Sequence, residues 1–202
     1  MTDKEFRVND VSLDHLDEIA DIWLETLPYN FKVIIGRKIV NNYINEIFKS
    51  SKNLKKGIFK SNKLIGFVFF GNDKNIIKKL FLRNFTYIIF CFVKDLIKLK
   101  HKKIFCYIDV SIYLISSLLK KREIENSSEL LIIAISRKEQ NNNLGSILIT
   151  ESLKDNYFDK INKIFVITLK SARENINFYE KNSFKIIDTI YGRVLMELFF
   201  PK

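Results

Sequence analysis

Proline occurs only twice, at Pro28 and Pro201, while Asn, Lys and Ile are abundant, a bias of nucleotide composition before it is one of chemistry. Cysteine is just as rare. Cys91 and Cys106 stand in apolar surroundings with no paired motif around them. That argues against a zinc site and against a secreted disulfide scaffold. His15 and His101 are the only histidines, too few for a His-rich metal site, so no metal is implied. Long apolar runs are missing too. The longest, Tyr87–Val93, is far short of the roughly 20 residues a bilayer span needs. The charged start Met1-Thr2-Asp3-Lys4-Glu5 is followed by no apolar h-region, which predicts no signal peptide and a cytoplasmic protein.

What is present is globular. A chain of 202 residues favours a single domain, 1–202, able to bury roughly 70% of its unfolded surface. Hydrophobic residues make up 47% and charged residues 28%, outside the disordered range. The net charge of +11 is concentrated. Between Lys74 and Arg122 twelve Lys or Arg face only Asp95 and Asp109, so that segment alone carries +10.

Residues 6–9 read as a short strand. Ser12 is a helix cap, and Leu13, Leu16, Ile19, Ala20, Trp23, Leu24 and Leu27 recur at helical spacing until Pro28. A second helix is expected from about Lys38 to Lys49. A hairpin follows, with strands at 57–60 and 63–70 around a Ser61-Asn62 turn. Its second strand is apolar on both faces and therefore central. In the basic segment, Ile77, Phe81, Phe85, Ile88, Phe92, Leu96 and Leu99 define a helix face, and a further helix is expected around 110–119. From Glu129 onward the pattern is strand 130–135, helix 144–153, strand 163–169, helix 172–181, then strands 184–190 and 193–199 joined near Tyr191-Gly192. The fold class is thus α/β: a mixed, twisted sheet with flanking helices and a helical insertion, at about 72–128, between the third and fourth strands.

One stretch carries chemistry. Ile133-Ala134-Ile135 closes a buried strand, Ser136 to Asn143 is polar, and Leu144-Gly145-Ser146 opens a helix. Successive backbone N–H groups in such a loop, with the helix dipole behind them, make an anion cradle suited to a pyrophosphate. An ordinary strand-to-helix connection has the same outline. A second stretch, Asn177-Phe178-Tyr179-Glu180-Lys181-Asn182-Ser183-Phe184, joins a helix to a strand.

Both stretches resemble the GCN5-related N-acetyltransferases. The first is similar to their acyl-CoA loop, Arg/Gln-x-x-Gly-x-Gly/Ala. Gln140 fills its first position, Gly145 its last, and Asn143 stands where the middle glycine is usual. Asn is the non-glycine residue best suited to left-handed geometry. The second is similar to the family's Phe-Tyr-x-x-x-Gly-Phe element, with Ser183 in place of glycine. Ala172 and Asn175 depart from the family's frequent Asn and Ala.

The resemblance implies an acetyl-CoA-dependent N-acetyltransferase that acts by direct attack of a primary amine, in a small molecule or a peptide. It implies acetyl-CoA as cosubstrate, with the pantetheine bonded by the backbone of Ile133 and Ile135 in a gap between the fourth and fifth strands. The pyrophosphate would rest on Gln140, Asn141, Asn142, Asn143, Leu144, Gly145 and Ser146. A backbone N–H near Ile135 would polarise the thioester carbonyl. Tyr179 would be the general acid and Glu129 the base, acting through water.

A non-catalytic module of the same fold, binding a membrane surface or a protein through its basic insertion, is the competing class. The insertion itself reads as a solvated face, a peripheral membrane or lipid-linked contact, or a homodimer surface. Nucleic acid ranks last, because the aromatics fall with the aliphatics and are not interleaved as stacking platforms.

Overall fold

The structure, a computed structural model, describes residues 6–27, 35–72, 75–100, 104, 107, 126–190 and 192–199. The helix expected at 110–119 lies outside these residues, as do Pro28, His101, Cys106 and Tyr191. The chain divides into two compact units, one of Met1–Val11, Lys52–Asn72 and Ile124–Lys202, the other of Ser12–Ser51 and Asp73–Glu123.

The first unit is built on a seven-stranded sheet. Its strands are β1 (Phe6–Asp10), β2 (Leu54–Lys60), β3 (Lys63–Gly71), β4 (Ser127–Ile135), β5 (Lys163–Leu169), β6 (Lys185–Ile190) and β7 (Arg193–Phe199). The order across the sheet is β1-β2-β3-β4-β5-β7-β6. Every pairing is antiparallel except that of β4 with β5.

The β2–β3 hairpin turns on Ser61 and Asn62, with φ of 48° and 65°. Positive φ at both central residues is what a two-residue turn needs to match strand twist. Asn62 Oδ1 accepts a 2.8 Å bond from Arg7, which ties the turn to β1. β3 is central, as its two apolar faces require. Ile65, Val68 and Phe70 join one core cluster, while Phe67 and Phe69 on the other face are also fully buried.

Two helices pack on the first of those faces in this unit, α4 (Leu144–Ser152) and α5 (Arg173–Lys181). They contribute Leu144, Leu148, Ile149, Ile176 and Tyr179 to a cluster shared with Ile164 and Val166 of β5 and Val194, Met196 and Leu198 of β7. At the end of α5 the Phe184 N–H reaches back to the Tyr179 carbonyl at 3.0 Å, and Ser183 sits at φ 68°. This is a left-handed helix stop held by a residue with a Cβ. Such geometry costs a non-glycine residue roughly 1–2 kcal/mol, partly offset by the greater unfolded freedom of glycine. Ser183→Gly is therefore expected to stabilise the protein by about 0.5–1 kcal/mol. A urea midpoint that rises with unchanged slope is the readout; an unmoved midpoint means the serine repays its strain elsewhere.

The second unit is helical: α1 (Leu16–Thr26), α2 (Arg37–Lys49) and α3 (Asn75–Ile97). Ser12 does cap, but it caps a short 3-10 turn, Leu13–His15, and α1 begins only at Leu16. Trp23 of α1 meets Tyr43 of α2 edge-to-face at 5.7 Å. Arg37 bridges back to Asp17 and Asp21.

α3 bends at Asn84, whose φ of −117° and ψ of 15° are not helical. The buried Asn84 side chain donates to the Leu80 carbonyl at 2.8 Å and accepts from Asn42 at 2.6 Å. A side chain that competes for the helix's own carbonyl is a recognised cause of a bend. The face of α3 also differs from the sequence expectation. Ile76, Leu80, Asn84, Ile88 and Asp95 are buried, whereas Phe85, Leu96 and Leu99 are exposed. Apolar periodicity misses this ridge because two of its members are polar. Asp95 is satisfied there by Lys100 at 3.6 Å and the Tyr107 hydroxyl at 3.3 Å.

Candidate functional site

β4 and β5 pair over only three positions: Ser127 with Lys163, Ser128 with Ile164 and Glu129 with Phe165. Beyond them β4 runs on to Ile135 and β5 to Leu169 without pairing to each other. The two strands part after Glu129 and leave a gap inside the sheet. The gap's closed end is tied by the Ser128 hydroxyl, 2.8 Å from the Tyr157 hydroxyl.

Register fixes what faces the gap. The Ser136 N–H donates to the Ile65 carbonyl at 2.8 Å, on the β3 side. Backbone polar groups alternate in direction along a strand, so Ile133 and Ile135 turn theirs toward the gap. The Gln140 amide agrees, since its Nε2 reaches the Ile135 carbonyl at 2.9 Å. That bond claims one of the two groups of Ile135 and leaves its N–H and both groups of Ile133. Nearer the closed end the ladder slips, with Phe69 opposite Ile132 and Phe70 opposite Leu130. Leu131 is the extra residue of a β-bulge, a device that re-aims backbone and side chain locally.

The loop above the gap follows from its asparagines. A 3-10 turn at Arg137–Glu139 leads through Gln140 into Asn141 at φ 66° and Asn143 at φ 59°. Asn143, at the middle-glycine position, adopts the left-handed geometry expected of it and directly precedes α4. The first bond of α4 runs from the Ile147 N–H to the Asn143 carbonyl at 3.1 Å. The N–H groups of Leu144, Gly145 and Ser146 come before that ladder, at the positive end of the helix. Asn141, Asn142 and Asn143 are exposed, so the loop opens to solvent.

Charge around the loop is positive. Arg137 and Lys138 are exposed, and Glu139 is paired with Lys60 at 3.4 Å. Lys181, on the last turn of α5, donates to Asn143 Oδ1 at 3.2 Å. Sequence reasoning passed over Lys181, though it lies only two residues past Tyr179. An amphipathic reading of α5 could have placed it beside the loop.

Gly145 has a packing reason as well. A Cβ there would lie 3.0 Å and 3.1 Å from ring carbons of Phe178 and 3.9 Å from Ile135. The absent side chain would thus point at α5.

Tyr179 is buried in the core cluster, its ring edge-on to Phe178 at 5.3 Å and to Phe184 at 5.6 Å. Burial pushes its phenol well above the usual tyrosine range. It therefore stays protonated throughout neutral pH. Glu129 is exposed at the last paired position before the gap. Its neighbour Leu130 belongs to the cluster that holds Tyr179, so strand alternation puts the Glu129 side chain on the opposite face. The structure thus gathers Ile133, Ile135 and residues 140–146 at the open end of one gap, with Glu129 where that gap closes. It sets Glu129 and Tyr179 on opposite faces of the sheet.

Among the described residues no group of His, Cys, Asp and Glu is arranged to hold a metal. No described helix is long and apolar enough to cross a membrane.

No family model matches the chain, and no curated protein matches it. Solved structures do. The PaiA N-acetyltransferase of Thermoplasma acidophilum, in complex with coenzyme A, aligns over 96% of this chain and 99% of its own with a TM-score of 0.60 and 17% identity. The ribosomal-protein-S18-alanine N-acetyltransferase of Escherichia coli aligns over 96% and 92%, with a TM-score of 0.57 and 11% identity. A spermidine N-acetyltransferase SpeG chimera from Vibrio cholerae and hSSAT aligns over 96% and 95%, with a TM-score of 0.54 and 14% identity. The chain has the fold of the GCN5-related N-acetyltransferases.

Proposed function

We propose that the protein is an acetyltransferase of the GCN5-related superfamily that moves an acetyl group from acetyl-CoA to a primary amine. The observation that carries this reading is the gap between β4 and β5, which opens directly beneath the N–H-rich loop 140–146. A pantetheine arm is a chain of amides. It can add to β4 through the backbone groups of Ile133 and the N–H of Ile135 while the pyrophosphate rests on the loop. Lys181 and Lys138 add charge for the phosphates.

With the pyrophosphate at the open end, the arm extends along β4 toward the Leu131 bulge and the closed end. In this reading the thioester lies nearer Leu131 than Ile135, and a backbone N–H of the bulge polarises its carbonyl. Glu129 takes a proton from the substrate ammonium through water from one face, which frees the nitrogen lone pair for attack. The amine nitrogen forms its bond to the carbonyl carbon, the carbon–sulfur bond breaks, Tyr179 gives its proton to the leaving thiolate from the other face, and the second proton shed by the new amide nitrogen passes through water and restores the tyrosine phenol. No acyl-enzyme is formed.

The test is calorimetric titration with coenzyme A followed by a thiol-release screen of acetyl-CoA against polyamines, peptide N-termini and amino-sugar nucleotides. Saturable coenzyme A binding and amine-dependent thiol release are expected. A protein that does not bind coenzyme A overturns the proposal. Binding without release from any amine assigns the fold to a non-catalytic module.

A further inference from the structure

α3 exposes a second face that nothing in the reaction uses. Leu82, Phe85, Ile89, Phe90, Val93, Leu96 and Ile97 are all between 44% and 76% exposed. At 100° per residue the six beyond the Asn84 bend fall within one arc of roughly 140°, interrupted only by Thr86. An arc this wide, made of large aliphatic and aromatic side chains, is a contiguous apolar patch and not a scatter of single residues.

The charges beside it have one sign. Lys79, Arg83 and Lys94 lie near one rim of the arc, and Lys98 and Lys100 follow the end of the helix; all five are exposed. The one acid on α3, Asp95, is turned inward and held by Lys100 and Tyr107. Glu46, which meets Arg83, belongs to the buried side of α2 and is shared with Lys49.

An apolar arc with cations along its rim matches the interface of an anionic bilayer, where the side chains enter the acyl boundary and the cations meet phosphate headgroups. A second copy fits worse. Joining two such faces would bring Lys94 and Lys98 of both copies together, with no exposed acid on α3 to answer them.

We propose that the α3 face, centred on Phe85, Ile89, Phe90 and Val93, docks the protein reversibly on anionic lipid bilayers. The proposal is independent of acetyl transfer, and its readout uses no coenzyme A.

The experiment is co-sedimentation of the full chain with phosphatidylcholine vesicles and with vesicles that also contain phosphatidylglycerol, at low and high salt. Binding to the anionic vesicles alone, weakened by salt, is expected. Two pairs of exposed substitutions separate the contributions. Phe90→Glu with Ile97→Glu removes apolar insertion, and Lys94→Glu with Lys98→Glu reverses rim charge; each pair should lower the partition coefficient by about tenfold or more. A Phe90→Trp variant should shift its fluorescence to the blue on anionic vesicles. Absence of binding at low salt overturns the proposal. So does binding that only the lysine pair abolishes, because that is adsorption by charge alone. A dimer in sedimentation equilibrium that Phe90→Glu with Ile97→Glu dissolves, in a protein that ignores vesicles, assigns the face to a second copy.

Discussion

Tyr179→Phe is expected to lower kcat for acetyl transfer by about 10²–10⁴-fold with little change in KM for acetyl-CoA. In the proposed mechanism the ring packs and the hydroxyl supplies the proton, and the substitution separates the two roles. Phenylalanine keeps the edge contacts with Phe178 and Phe184, so stability should change by no more than about 1 kcal/mol. What is lost is a proton held where burial raises the phenol's pKa. A pH series gives an independent check. A phenol whose folded pKa is raised binds its proton more tightly in the native state. Its contribution to stability is fully present below the ordinary tyrosine value of about 10 and is lost as pH rises through the higher folded value. The wild-type protein should therefore lose stability in that alkaline range more steeply than Tyr179→Phe. A kcat equal to that of the wild type from neutral to mildly alkaline pH would leave Tyr179 as packing alone and give proton transfer to solvent.

Much of the fold is legible in the sequence because its signals are local. Ser61-Asn62 between apolar runs sets the hairpin, and both residues take the positive φ that a two-residue turn demands. The apolar run of β3 reads as a central strand because no face is left for solvent. In the same way Asn143 is legible as a left-handed residue, and the loop that starts α4 follows from it. The gap between β4 and β5 is not legible. It consists of bonds that are not made, and Ile132 to Ile135 is as apolar as a fully paired strand. The backbone contacts of Ile133 and Ile135 are implied by resemblance alone, and the Gln140 bond to Ile135 exists only in the folded chain.

α3 defeats pattern reading for a different reason. A count of apolar spacing ranks every aliphatic and aromatic residue as inward and every polar one as outward. Here the buried ridge includes Asn84 and Asp95, each satisfied by a specific partner, and the larger share of the apolar side chains is left outside. Buried Glu46 on α2 is the same case, made tenable by Arg83 and Lys49. Polar groups can occupy a core only when tertiary contacts answer them, and those contacts join residues far apart in sequence.

Gly145→Val is expected to weaken coenzyme A binding by about tenfold or more, near 1.4 kcal/mol. The sequence suggests a simple obstruction, with a branched side chain standing in the path of the phosphate. The structure gives another route to the same loss. The new Cβ is directed at Phe178, already 3.0 Å from its ring, so the added methyls press α4 away from α5. The N–H groups of Leu144 to Ser146 move with the start of that helix, away from the position the proposed pyrophosphate site needs. Overpacking of this kind also costs about 1–3 kcal/mol of stability, so affinity must be compared at a temperature where both proteins are folded. A second substitution separates the two accounts. Phe178→Leu in the Gly145→Val background gives the added side chain room without touching the loop. If displacement of α4 is the cause, the double variant recovers both stability and affinity for coenzyme A. Recovery of stability alone restores the obstruction account. Affinity for coenzyme A unchanged in Gly145→Val itself would mean that the pyrophosphate does not rest on this loop.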